Sequence, residues 1–400
     1  MSRAQAPAPT GIDRVEMAYA RYLLEHEKSR TQFCAMHPLG LLGTLPLPMT
    51  EDFIGELAAA WEGDGEGQAV LKARRLGHRL LRWRGGFPAE KSGPCNAVYL
   101  LTSHHHLTRP RIIGAALKRW RAFFVPMLHD LIPLDYPEYA RPREPARHAR
   151  RLATITHLAD AVIVPSDAVG AALHSRLTET GRPDVPVWVV PHGIPHDMTR
   201  QDTLSDGMAV RWSDRPYFVC IGTIEPRKNH LLLLNLWRRM ATECGARAPR
   251  MILIGKRGWE NENIVDMLER CPALSGSVIE LNDLPDRETA ALLRGARGLL
   301  FPSFTEGFGL PLAEALALGV PVICSDIPVF REIGGDVPYY ADPLDGPGWR
   351  AAIDDFCAGG SRYVLQKQLL AGCGFRGWTQ SIGESIKQID SFFRVKSVSV

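Results

Sequence analysis

Between Phe301 and Gly319 the chain reads FPSFTEGFGLPLAEALALG, a run whose residue types suit the holding of an anionic ligand. A buried strand ends at Pro302-Ser303, Glu306 stands in the loop that follows, and Pro311 suits a first helical turn, where the amide it lacks would have no partner. Gly307 and Gly309 let a ligand approach the backbone. The free N–H groups and the dipole of the helix start then favour a phosphate. Glu306 lies before that helix and Glu314 within it, several residues apart at roughly 1.5 Å of rise each, so the pair suits opposite ends of one extended ligand. The pair does not suit the spacing of about 5 Å that retaining glycoside hydrolysis requires. Taken alone, the same residues also fit a helix cap at Glu306 and a surface carboxylate at Glu314.

Arg227 and Lys228, in the run GTIEPRKN from Gly222 to Asn229, sit at the start of another predicted helix. Cations there oppose the helix dipole unless an anion is present, although solvated charges are the plain alternative. His129 closes a predicted buried strand, a position that suits either function or a hydrogen-bonded structural role. His104, His105 and His106 follow another strand, and consecutive residues on a strand point to alternate faces, which disfavours one shared metal ion. No metal is expected.

These residues need a frame of alternating strands and helices, and the sequence supplies one. From about Asn96 onward, short runs rich in Val, Ile and Leu alternate with helix-length segments, the mark of an α/β chain with parallel sheets buried on both faces. Strands are predicted at 97–102, 123–129, 161–165 and 187–190, with helices near 12–24, 112–121, 145–157 and 167–179. A second series has strands at 217–222, 251–255, 277–281, 298–302 and 320–324, and helices near 230–242, 263–270, 286–294 and 309–318. The domain boundaries expected are therefore 1–196, a polar linker at 197–215, a second domain at 216–385, and a tail at 386–400. Ligands of such sheets bind beyond the carboxyl ends of the strands, which places the expected site in a cleft between the domains. Residues 1–9 offer no strand, so either the first sheet lacks its N-terminal strand or the natural start lies upstream.

Composition excludes several classes. In 400 residues, 45% hydrophobic and 23% charged content is ordinary for a globular chain of two to three domains, and no apolar run approaches the length of a spanning helix. Eight cysteines without a C-x-x-C pair disfavour a zinc ribbon or a disulfide framework and fit reduced thiols in a cytosol. The basic excess lies in residues 1–200, with 25 Lys/Arg against 20 Asp/Glu, and six of those cations fall within Lys72–Arg84. Such a segment fits peripheral contact with anionic lipid, or equally a solvated helix face packed by its leucines. No nucleic-acid reader motif accompanies it.

The pattern E-G-F-G-L-P-x-x-E-A-x-x-x-G-x-P-V from Glu306 to Val322 resembles the E-x7-E segment of family 4 glycosyltransferases, retaining enzymes of the two-Rossmann-domain GT-B fold. Gly222–Asn229 resembles that family's loop for the donor diphosphate. The resemblance spans the second half of the chain and, more loosely, much of the first. It implies that Glu306 meets hydroxyls of the donor sugar, that Gly307, Phe308, Gly309 and Leu310 present amides to the distal phosphate, and that Glu314 meets the ribose. Gly222, Thr223, Arg227 and Lys228 would line the diphosphate. Thr223 stands where many relatives carry an arginine, a charge that Arg227 can supply. His129 would reach the donor sugar, while Gly11, His104, His105 and Ser166 would lie on the acceptor side.

The combination of GTIEPRKNH, HDLIP and TGIDRV looks most like bacterial members that build surface polysaccharides, often mannosyltransferases. The resemblance thus implies a retaining hexosyltransferase that needs no metal or other cofactor. Its donor would be a nucleotide diphospho-sugar, GDP-mannose or a UDP-hexose, and its acceptor a polyprenyl-diphosphate-linked saccharide at the inner face of the cytoplasmic membrane. Trp120, Phe123 and Phe124 would then be membrane contacts or core. The alternatives are a non-catalytic nucleotide-sugar-binding or partner subunit, and a sugar-nucleotide epimerase or hydrolase of similar architecture.

Overall fold

The computed structural model describes residues 9–36, 42–62, 68–82, 97–195, 214–282 and 284–398. Residues 1–8, Trp83, Arg84 and all but the last two residues of the expected linker lie outside these. Two compact units result, one of 1–137, 142–193 and 378–400, the other of 138–141 and 194–377.

In the first unit, α1 (Gly11–His26) is followed by β1 (Cys34–Met36), β2 (Leu42–Thr44), α2 (Leu47–Glu62) and α3 (Gln68–Arg82). The alternating series follows as β3 (Ala97–Leu101), α4 (Pro110–Trp120), β4 (Ala122–Pro126), the short α5 (Ile132–Asp135), α6 (Glu144–Leu158), β5 (Val162–Val164), α7 (Asp167–Glu179) and β6 (Val187–Val189). β3 pairs with β4 and β5 with β6, all parallel, and a bridge between Met127 and Ile163 joins the two pairs. The strand Val162–Val164 is wholly buried because both faces are covered. On one face Ile113 of α4, Ile155 of α6 and Leu173 of α7 pack together, and on the other Val15 and Tyr19 of α1 meet Val125 and Ile163.

The three-residue antiparallel pair of β1 and β2 escapes the sequence reading because neither strand is long enough to show a period. α3 holds the described part of the basic segment. Ala73 and Leu80 pack against Phe53, Ile54 and Leu57 of α2, while Lys72, Arg74, Arg75 and Arg79 are exposed. Ala73 and Leu80 of α3 are thus core, while its basic side and Leu71 face water. The three aromatic residues offered as membrane contacts are also accounted for by packing. Phe124 is fully buried, Trp120 stands edge-on to Tyr99 at 5.7 Å, and Phe123 packs on Phe392 and Phe393.

The second unit runs β7 (Tyr217–Ile221), α8 (His230–Cys244), β8 (Arg250–Ile254), α9 (Glu262–Arg270), β9 (Val278–Leu281), α10 (Asp286–Gly295) and β10 (Gly298–Phe301). It continues through α11 (Leu310–Ala317), β11 (Val322–Ser325), α12 (Pro328–Gly334), β12 (Tyr339–Ala341), α13 (Gly346–Ala358) and α14 (Ser361–Leu370). Six parallel strands lie in the order β12-β11-β10-β7-β8-β9. Counted from β7 this is the 3-2-1-4-5-6 order of a doubly wound sheet, and the chain reverses direction across the sheet between β7 and β10. Trp237, Trp349, Phe218 and Phe356 fill one side of it, all fully buried.

The chain ends in α15 (Trp378–Val398), which belongs to the first unit. This corrects the expected boundaries of a second domain to 385 and a tail from 386. Ile382, Ile386 and Ile389 recur at helical spacing and join Val15, Tyr19 and Val125 in one core. The Tyr19 hydroxyl lies 2.6 Å from Ser385 Oγ, and Arg30 pairs with Asp390 at 2.6 Å. Ile382→Ala is expected to destabilise the protein by about 2–5 kcal/mol in urea unfolding, the cost of a buried cavity. A loss under about 0.5 kcal/mol, the size of an ordinary surface change, would mean that α15 contributes nothing to this core.

Candidate functional site

In a doubly wound sheet the loops leaving the two strands at the reversal point diverge and leave a crevice, so ligands bind there. Here the loop after β7 carries Gly222, Thr223, Arg227 and Lys228, and the loop after β10 carries Glu306. The two loops are stitched together: the Phe304 amide donates to the Arg227 carbonyl at 2.9 Å, and Arg227 Nη1 donates to the Thr305 carbonyl at 2.8 Å. Gly255, at the end of β8, has φ +157°, and a Cβ there would stand 2.0 Å from the Gly222 carbonyl oxygen, so no side chain fits. Thr223 packs its methyl group against Gly258 in the same way.

Charge is concentrated in four residues. Glu306 Oε2 pairs with Arg227 Nη1 at 2.6 Å and Glu306 Oε1 with Lys228 Nζ at 2.5 Å. Arg227 Nη2 also donates to Glu225 Oε1 at 2.6 Å. Lys228 Nζ lies 4.9 Å above the Phe301 ring, a second attraction that fixes the ammonium. Burial alone would raise the Glu306 carboxyl, but the Arg227 and Lys228 charges and their hydrogen bonds outweigh it and hold the group at about 2. Glu306 is therefore ionised at any pH near neutrality. Burial pushes the Glu225 carboxyl up, against the opposing pull of the two cations. His230, at the start of α8, is held neutral, pushed down to about 4 by burial and then by Lys228.

Gly307, Phe308, Gly309 and Leu310 lead from this cluster into α11. Gly309 has φ +110°, and a Cβ there would meet Phe330 Cε1 at 2.9 Å, so glycine is required on two counts. Phe308 anchors the turn among Ile194, Ala290 and Ala313. Glu314 is buried within α11, so a surface carboxylate is the wrong description of it. The structure thus gathers Arg227, Lys228 and Glu306 into one cluster. Glu225 completes it. The sequence carried one signal for Glu225, its place two residues before Arg227, but burial of a carboxylate leaves no mark in composition.

The first unit gathers a different set. His129 is buried, its Nε2 donating to the Thr102 carbonyl at 2.8 Å, and its backbone amide donates to His104 Nε2 at 3.2 Å. The His104 ring lies 5.0 Å from that of His129 and 5.4 Å from that of His148, and His192 lies 5.9 Å from His129 on the other side. His148 Nε2 donates to the Asp130 carbonyl at 3.1 Å while its Nδ1 accepts from Arg151. These partners fix neutral tautomers, and Nδ1 of His129 is left as the acceptor nitrogen. His105, by contrast, is exposed. Gly11 is the first residue of α1, where Thr10 and Asp13 form a capping box. Ser166 is fully buried and caps α7 by accepting from the Val169 amide at 3.3 Å. Among the described residues no group of three or more His, Cys, Asp or Glu is placed to hold a metal ion.

Burial first, then mutual repulsion, pushes His104 and His192 well below the ordinary histidine range, and burial likewise lowers His129 and His148. Below a pH of about 6.5 the unfolded chain therefore binds more protons than the folded one. Stability is expected to be full above that pH and to fall on acidification, by at most about 1.4 kcal/mol per pH unit for each histidine. Urea titrations in a pH series check this, and a midpoint unchanged between about pH 7 and 5 would contradict it.

The fold agrees with comparisons to known proteins. Residues 209–337, within the second unit, match the family model described as glycosyl transferases group 1. The fold is GT-B. The Burkholderia multivorans trehalose 6-phosphate synthase superposes with a TM-score of 0.61 at 12% identity, covering 98% of this chain and 94% of that one. Anabaena HepE in complex with UDP gives 0.56 at 16% identity, covering 74% and 79%.

Among curated proteins, the Escherichia coli O-antigen chain mannosyltransferase B is 42% identical over 129 residues, 32% of this chain and 33% of that protein. The serotype-specific mannosyltransferase WbdA of Escherichia coli is 28% identical over 251 residues, 59% of this chain and 30% of that protein. The Salmonella typhimurium O-antigen chain mannosyltransferase RfbU is 34% identical over 143 residues, 34% and 37%. The matches span about a third of the length of these relatives.

Proposed function

We propose that this protein is a retaining mannosyltransferase of surface-polysaccharide assembly, taking mannose from GDP-mannose and passing it to a hydroxyl of a polyprenyl-diphosphate-linked saccharide. The observation that carries this reading is the pairing of Glu306 with Arg227 and Lys228 at the strand-order reversal of the second sheet. Two fixed cations with one ionised carboxylate suit a ligand that is a dianion at one end and a polyol at the other. Likeness to O-antigen mannosyltransferases supports mannose as the polyol.

The diphosphate takes over Arg227 and Lys228, and the released Glu306 accepts hydrogen bonds from sugar hydroxyls. The bond from the anomeric carbon to the diphosphate oxygen breaks while the bond to the acceptor oxygen forms on the same face. The acceptor proton passes to the leaving diphosphate, whose growing charge Arg227 and Lys228 stabilise. Glu314, buried in the helix behind the loop, is assigned to the ribose. No step in this scheme requires a metal.

The acceptor is lipid-borne in this reading, and no helix among the described residues is long and apolar enough to cross a membrane. We assign the contact to the exposed basic side of α3, at the cytoplasmic face, with each cation worth about 1 kcal/mol near an anionic surface. Sedimentation with phosphatidylglycerol vesicles is expected to fall at least tenfold when Lys72, Arg74, Arg75 and Arg79 are all changed to Gln. Unchanged sedimentation would remove α3 as the contact. For the donor, thermal shift with GDP-mannose, UDP-glucose and UDP-N-acetylglucosamine is the direct test, since a ligand at 100 times its Kd stabilises by about 2.7 kcal/mol. Stabilisation by GDP-mannose is expected, and stabilisation by a UDP-sugar alone would exclude mannose transfer from GDP-mannose.

A further inference from the structure

Arg227, Lys228, Glu225 and Glu306 together carry two positive and two negative charges, so the cluster is neutral before a ligand arrives. A nucleoside diphospho-sugar brings two negative charges that do not titrate near neutral pH. One carboxylate has a way out, because Glu306 can turn from the cations to the sugar. Glu225 has none. Its side chain is 2% exposed, its Oε1 depends on Arg227, and its Oε2 is buried with no hydrogen-bond partner. A buried carboxylate whose cation is drawn elsewhere is costly, and such groups neutralise instead.

We propose that Glu225 positions Arg227 in the free protein and takes up a proton when the donor diphosphate draws Arg227 onto itself, so that donor binding is coupled to proton uptake. The proposal rests on the nucleotide-sugar reading above. Among the groups facing Glu225, the neutral His230, whose Nδ1 is buried with no hydrogen-bond partner, is the rival acceptor, and the Glu225→Gln test below separates the two. Arg227 and Lys228 come from the turn at Pro226–Lys228, Glu306 from the loop after β10, and His230 from α8. Lys228 and Arg227 are already protonated, and Glu306 is held ionised by both cations and then engaged by the sugar. Arg257, beyond β8, is occupied by Glu269 and Glu280. Burial already pushes the Glu225 carboxyl up in the free state, which shortens the step to protonation.

Calorimetry of GDP-mannose binding, run in two buffers of unlike ionisation enthalpy from about pH 6 to 8.5, reads the proton directly. For the full chain, uptake approaching one proton is expected, with affinity falling up to about tenfold per pH unit as pH rises. Glu225→Gln is expected to bind with heats independent of buffer and a flat pH profile, whereas Glu225→Asp keeps the uptake. Buffer-independent heats in the unsubstituted protein overturn the proposal even if Glu225→Gln fails to fold. Equal uptake in Glu225→Gln also overturns it and moves the proton to Glu306 or His230. If none of GDP-mannose, UDP-glucose and UDP-N-acetylglucosamine binds, the donor reading falls and this inference with it; binding without uptake removes the inference alone.

Discussion

Glu306→Gln is expected to lower mannosyl transfer by about 10² or more while leaving GDP binding intact or tighter by several-fold. The two halves of this expectation have one cause. Glu306 occupies Arg227 Nη1 and Lys228 Nζ at 2.6 and 2.5 Å, so under the proposed function it competes in the free protein with the diphosphate for the same two donors. Glutamine cannot hold both cations as an ion pair, and the product GDP meets them unopposed. The sugar, however, loses an anionic acceptor where charge develops in the transition state. A residue that merely braced the loop would lose both properties together, and GDP affinity falling in step with the rate would assign Glu306 that lesser role.

Lys228→Ala produces the opposite split. Lys228 is nine-tenths buried, lies over the Phe301 ring and reaches Glu306, and its removal takes away a charge-assisted contact worth about 1.5–3 kcal/mol to the diphosphate. GDP affinity is expected to fall about 10- to 150-fold, measured by calorimetry. Breaking a buried pair on one side costs about 3–5 kcal/mol, reduced here because Arg227 still neutralises Glu306, so Tm falls as well. Lys228→Arg keeps the charge but exchanges a compact ammonium for a planar fork, and it should restore stability more fully than binding. Unchanged GDP affinity in Lys228→Ala would remove Lys228 from the anion site.

Much of this was legible in the sequence because the second unit is built from strands buried on both faces. Val219, Leu253 and Leu300 belong to near-continuous apolar runs, which mark parallel strands without any alignment. The strand order, and with it the meeting of Arg227 and Lys228 with Glu306 some 78 residues later, is a tertiary fact that only the resemblance anticipated. Hidden entirely was the return of the chain to the first unit. The isoleucines of α15 carry a helical period, but a period does not say which core it faces. The histidines of the first unit show the same limit. His104 and His105 are neighbours in sequence, yet His104 is buried against His129 while His105 is exposed, a difference no local periodicity shows because both lie in an irregular segment after β3. Ser166 and Gly11 drew notice as motif positions, and the structure uses both at helix starts.

Incubating the purified protein with radiolabelled GDP-mannose and a bacterial lipid extract, and following label into the organic phase, tests the central claim most directly. Label is expected to enter the lipid fraction from GDP-mannose, and to do so about 10² or more times slower with Glu306→Gln. Transfer that persists unchanged in Glu306→Gln, or no transfer at all from a preparation that binds GDP-mannose, would contradict it.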